Sequence, residues 1–144
     1  DSTSNNFYLA GVQVEAGDTA TDFEHLPHDV NLQRCQRYFT KFGGDDAFSP
    51  FGSGMWKTGT VASLILTFPT KMNHEPTMTI ANATATHLRQ AGTSPNTSAI
   101  ALDVSSTLAC MYNATVSSGG SAGQGTVNFG DSTTNCTFSF DSEL

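Results

Sequence analysis

Apolar and polar positions alternate with a period of two along most of this chain, the signature of strands with one buried face. Tyr8, Ala10, Val12 and Val14 alternate with Leu9, Gly11, Gln13 and Glu15 and predict a first strand. Val61-Ala62-Ser63-Leu64-Ile65-Leu66-Thr67-Phe68 is nearly continuous apolar, which predicts a central strand over Thr58 to Thr67 covered on both sides, ended by Pro69. Pro76 to Ala85 sets Met78, Ile80 and Ala83 against Thr77, Thr79 and Ala81, with Asn82 as a candidate bulge. Ile100, Leu102 and Val104 are expected to point into the core, and Ser105-Ser106 turns the chain back into Leu108 to Val116 as a hairpin. Thr126 to Phe129 is a short strand, and Cys136, Phe138 and Phe140 alternate along the last one.

A period near 3.6 occurs in one place only. Leu32, Cys35 and Phe39 fall at i, i+3 and i+7, predicting a short helix near Asn31 to Arg37 that Asp29 would cap. Pro27 keeps Leu26 out of it. From Gln36 to Phe42 the period is lost and aromatic and β-branched residues take over, so a strand begins there. Between these elements lie Gly/Ser/Pro-rich stretches. Gly43 to Trp56 is expected to be a long loop carrying Phe48, Phe51 and Trp56, His87 to Ser98 a second loop, Ser117 to Gly125 a third, and Gly130 to Thr134 a turn.

About seven short strands at regular spacing with a single short helix describe an all-β, antiparallel β-sandwich. At 144 residues the length favours one body, and a chain of this size buries roughly 68% of its unfolded surface, enough for an independent core. Charged residues make up 13% of the chain, against a usual share of about 25%. Such a surface is neutral and hydroxyl-rich, which suits extracellular exposure or a large self-association surface.

The net charge is −7, and no Lys or Arg precedes Arg34 or follows Arg89. A phosphate backbone demands clustered cations, so this distribution speaks against nucleic acid, and against a polybasic membrane anchor. Arg89, Lys57 and Lys71 are still available to read single uronate or phosphate groups. No apolar run reaches membrane-spanning length. Cys35, Cys110 and Cys136 are odd in number and widely spaced, which reads as three small buried hydrophobes rather than a disulfide framework. Asp1 is expected to mark a processing boundary with further chain upstream.

Three pieces in order carry a family resemblance: Val12-Gln13-Val14-Glu15-Ala16-Gly17, then Ala20-Thr21-Asp22-Phe23-Glu24, then Leu32-Gln33-Arg34-Cys35-Gln36-Arg37-Tyr38-Phe39. Together they resemble the joint in bacteriophage tail fibre and tail spike proteins, where a carbohydrate-binding-module-like sandwich hands over to a C-terminal β domain. Phe68-Pro69-Thr70-Lys71-Met72 followed by Glu75-Pro76-Thr77-Met78-Thr79 looks like the next strand pair of that family, and Phe140-Asp141-Ser142-Glu143-Leu144 is similar to its C-termini. The likeness covers residues up to about 80 and the terminus, and is weak from 85 to 135. It implies a division into residues 1–29, a terminal strand and linker of an upstream unit, and 30–144, a jelly-roll-like C-terminal sandwich. It also implies a homotrimer whose axis residues 7–39 would partly line, placement in a virion tail fibre, and adsorption to a polysaccharide or lipopolysaccharide of the host cell surface.

Chemistry-bearing motifs are few. His25 and His28 are too close in sequence for helical i, i+4 ligation and lack a completing ligand, so no metal is expected. Asp45-Asp46 lacks the spaced carboxylates of a calcium loop. Asp22 and Glu24 have no sugar subsite around them, and Cys110 with His87 has no orienting third group. Asn-x-Ser/Thr triplets at Asn82, Asn96, Asn113 and Asn135 are what a Thr-rich chain produces by chance. The expectation is therefore a protein without catalytic residues or cofactor. Two functions fit: a fibre-tip module that binds a host glycan, and a structural cap that registers three chains of a longer spike. For the first, Trp56 or Phe51 would stack on a sugar ring while Asp45 and Asp46 accept hydroxyl protons, with Tyr112 nearby. Trp56 reads slightly better as a core anchor at the start of the Thr58 to Phe68 strand than as a sugar platform.

Overall fold

A computed structural model describes residues 10, 12–19, 21–23, 25–133 and 136–143. After one helix, α1 (His28–Gln36), nine strands follow: β1 (Phe39–Gly43), β2 (Pro50–Trp56), β3 (Val61–Thr67), β4 (Thr77–Ala81), β5 (Thr86–Arg89), β6 (Thr97–Ser105), β7 (Ala109–Val116), β8 (Gly125–Gly130) and β9 (Thr137–Asp141). They form a three-stranded sheet ordered β1-β9-β4 and a six-stranded sheet ordered β5-β8-β2-β3-β7-β6, with every pairing antiparallel. The first strand pairs with the last and the second with the next-to-last, the nested pattern of a jelly-roll-like sandwich.

The two sheets meet through aromatic side chains. From β9, Phe138 stacks on Phe51 with ring centroids 4.3 Å apart and meets Tyr112 edge-on at 5.3 Å. Phe140 takes Phe68 at 4.8 Å and Phe42 at 5.9 Å, both edge-on. Such pairs add about 0.5–1.5 kcal/mol beyond the area they bury. Around them close Trp56, Leu64, Leu66, Met72, Leu88 and Val116. Several buried polar groups are paired: Tyr112 Oη donates to Asn128 Oδ1 at 3.1 Å, Asn128 Nδ2 donates to the His87 carbonyl at 3.1 Å, and the hydroxyls of Thr86 and Thr97 share a hydrogen bond of 2.7 Å; Trp56 Nε1 is buried without a partner.

Several expectations change. The stretch Gly43 to Trp56 is a loop only as far as Ser49; β2 then runs through the middle of the larger sheet between β8 and β3. Its glycines are there for packing, since a Cβ on Gly54 would overlap the Ser63 carbonyl of the neighbouring strand. The His87 to Ser98 loop is likewise shorter, because β5 occupies Thr86–Arg89 and β6 begins at Thr97. Asn82 is no bulge: it adopts a left-handed conformation (φ 53°) that ends β4 and feeds a short 3₁₀ turn, Ala83–Ala85.

Leu102 and Val104 do not enter the core. β6 is the edge strand and shifts register twice against β7: the shift between Leu102 and Val104 pairs Val104 with Met111 on the outer face, where it is 61% exposed, while Leu102, opposite Tyr112, stays exposed at the sheet edge and only Ile100 is half-buried. Nor is β3 covered on both sides. Ala62, Leu64 and Leu66 face the core while Ile65, on the opposite face, is 53% exposed.

The N-terminal region also departs from expectation. Val12, Val14 and Glu15 belong to no strand, while Tyr8, Leu9 and Gly11 lie outside the described residues. The helix begins earlier than its apolar spacing suggested, with Pro27 at its N-cap and Asp29 inside the first turn, making no side-chain cap. None of its residues is buried, so Cys35 is exposed while Cys110 and Cys136 are buried as free thiols. What ties the helix down is its C-terminal end: Thr40 Oγ1 donates to the Gln36 carbonyl at 2.9 Å, and the Asn73 amide donates to the Arg37 carbonyl at 2.6 Å.

Candidate functional site

The expected sugar platform is absent from the surface. Trp56 is 1% exposed and Phe51 5% exposed. Alternation along β2 turns Trp56 toward the smaller sheet, and an irregularity in the strand between Pro50 and Gly52 lets Phe51 face the same way; Gly120 lies directly over the Trp56 ring, where a Cβ would clash. Tyr112 is fully buried, and burial raises its phenol well above the usual range. Trp56, Phe51 and Tyr112 are therefore core residues. Asp45 and Asp46 are exposed in the bend before β2, and Phe48 beside them is exposed at φ 60°. The structure leaves these carboxylates without the neighbouring aromatic rings expected of them, because the rings turn inward.

The same alternation that buries Trp56 sends Ser53 and Met55 outward, onto the outer face of the larger sheet. Strand register there aligns Arg89, Val127, Ser53, Ile65, Met111 and Val104 in one row across the sheet. The next row carries Gly125, Met55, Ser63, Asn113 and Ala101. Met55 (56% exposed), Ile65 (53%) and Val127 (41%) leave an apolar stripe that the described residues do not cover.

Two adjoining hollows follow this stripe. One, of about 530 Å³, is lined by Met55, Lys57, Ser63, Ile65 and Met111. The other, of about 550 Å³, is lined by Arg89, Gln90, Thr126 and Val127, and the two share Gly54 and Gly125. Glycine floors the junction because a side chain on Gly54 would collide with β3. The result is one shallow trough across the strands.

Its polar groups are unevenly satisfied. Lys57 Nζ is paired with Asp103 Oδ2 at 3.2 Å. Arg89 makes no ion pair among the described residues, and its guanidinium lies 4.6 Å from the centroid of Phe129, itself stacked on His87 at 5.4 Å. Ser63 is 8% exposed, and its Oγ has no hydrogen-bond partner; neither has Oδ1 of Asn113, its cross-strand neighbour. An unpaired buried polar atom costs about 1–3 kcal/mol. The sheet holds these groups without using them.

Sequence reasoning missed this face because it located function in loops. A signal was present: Ser63 and Asn113 interrupt otherwise apolar strands, and Met55 and Met111 are flexible side chains suited to adaptable surfaces. Among the described residues no cluster of His, Cys, Asp or Glu is placed to hold a metal ion, and no helix is long and apolar enough to cross a membrane. His25 and His28 are exposed and form no such cluster, and Glu24 lies outside the described residues.

Compared with protein-family models, with curated proteins and with solved structures, the chain matches none of them.

Proposed function

We propose that this chain is the non-enzymatic terminal domain of a virion tail fibre or tail spike that binds a glycan on the host cell surface, and that the trough on the larger sheet is its binding face. The observation that supports this reading is the trough itself: an open apolar stripe beside a buried hydroxyl with no partner. Sugars offer C–H faces for such a stripe and hydroxyls for Ser63 Oγ and Asn113 Oδ1. The residues first expected to serve, Trp56 and Phe51, hold the sandwich together instead. A glycan array of bacterial surface polysaccharides probed with this chain tests the reading; binding that Ile65→Glu abolishes supports it, and a blank array removes it.

A second, compatible role has its own support. A helix of nine residues with no buried side chain falls short of the roughly 12–15 residues at which isolated helices become even marginal in water. It needs something to pack on. Val12, Val14, Phe23, Val30, Leu32, Tyr38 and Phe39 are all exposed in and around it. A homotrimer whose axis they line would bury them, as a structural cap of a longer spike requires. Light scattering decides: a trimer at micromolar concentration that Leu32→Asp dissolves supports the role, and a monomeric parent chain contradicts it.

A further inference from the structure

We infer that the trough reads an acidic oligosaccharide, its carboxylate held by Arg89 at the β5 end while neutral sugar units lie along the Gly54–Gly125 floor toward Ser63. This rests on the glycan-binding reading and adds the substrate class and the residue that selects it.

Shape comes first. From β5 through β8, β2 and β3 to β7 the trough crosses four strand intervals, roughly 19 Å at the usual spacing. That is the length of a short oligosaccharide rather than of a single sugar. Its floor is backbone and small side chains, so the ligand lies flat on it, with Met55, Ile65 and Met111 against its C–H faces.

Charge comes second. The chain is strongly acidic, with only six cationic residues, yet two of them line this trough. They differ in availability. Lys57 is already neutralised by Asp103, whereas Arg89 has no carboxylate partner among the described residues. Its guanidinium carbon lies 4.6 Å from the Phe129 ring centroid, and a guanidinium with no ion pair among the described residues has donors for a bidentate pair with a carboxylate. At the other end, Ser63 Oγ and Asn113 Oδ1 need partners that donate and accept, as sugar hydroxyls do, and Met55, the cross-strand neighbour of Ser63, is flexible enough to yield. One end selects charge, the other hydroxyls.

The test titrates the 144-residue chain with tetragalacturonate and with its fully methyl-esterified form, which keeps the skeleton and removes the charge. The acid should bind about tenfold or more tightly than the ester, and added salt should narrow the gap. Arg89→Gln should lose about that factor for the acid and little for the ester, with an unchanged melting temperature because Arg89 is exposed. Lys71→Gln removes an equal charge outside the trough and should leave both affinities within about twofold. Equal binding of acid and ester, or an Arg89→Gln variant that binds like the parent, overturns the inference while leaving a neutral-glycan receptor standing. If neither probe binds, the inference falls; a glycan array that is also blank takes the receptor reading with it.

Discussion

The two faces of the larger sheet come from the same strands yet obey different rules. On the inner face every large side chain has a neighbour to fill: Trp56 lies under Gly120, Phe51 on Phe138, and Tyr112 against Phe138 with its hydroxyl on Asn128. On the outer face Met55, Ile65 and Val127 face solvent, Ser63 Oγ is unpaired, and Arg89 has an aromatic ring but no anion among the described residues. Packing accounts for the inner face apart from one atom, Trp56 Nε1, which is buried without a hydrogen-bond partner. The outer one keeps apolar area and polar groups that the isolated chain does not use, and both become favourable only when something else is bound there.

The contrast can be broken most directly from the inside. Phe138→Ala removes the ring that Phe51 and Tyr112 both pack on and should cost about 3–5 kcal/mol of folding stability. Trp56→Ala should cost a similar amount. Urea denaturation measures both, and a Trp56→Ala protein that keeps its midpoint but loses glycan binding would return that residue to the ligand site. The helix offers the next largest effect. If a partner chain covers Leu32, then Leu32→Asp abolishes the trimer in light scattering while circular dichroism of the β-sandwich is unchanged.

Cysteine reactivity sharpens the comparison at smaller cost to the protein. Burial pushes the Cys110 and Cys136 thiols up to about 11, so both are protonated at pH 8 as well as shielded. Cys35 is exposed on the helix. A native-state alkylation course should therefore label Cys35 first and the other two only on unfolding. Cys35 that resists labelling in the assembled protein and reacts after Leu32→Asp would locate the subunit contact on that helix.

Much of the sandwich is legible in the chain because period-2 alternation and inter-sheet burial are the same fact seen twice: the alternation of Cys136, Phe138 and Phe140 matches their burial. Pattern failed where its physical basis is missing. β2 reads as a loop because Gly52 and Gly54 stand where a neighbouring strand leaves no room for a side chain, and glycine looks the same in both settings. Leu102 and Val104 alternate in the sequence, but a register shift between them turns Val104 to the outer face, and the smaller sheet, three strands wide against six, leaves Leu102 exposed at the edge. Width is a property of the whole topology. The candidate site shifts for a related reason: Trp56 and Phe51 read as loop aromatics only if Gly43 to Trp56 is a loop, and Pro50–Trp56 is a strand.

The account depends most on the outer face being for binding and not for folding, and Ile65→Glu tests that in one protein. Ile65 is 53% exposed at the centre of the trough, so the substitution should change stability by no more than about 0.5 kcal/mol. Melting temperature and glycan retention are measured on the same sample. The account predicts an unchanged melt and lost retention; a variant that melts early, or that binds glycan as the parent does, contradicts it.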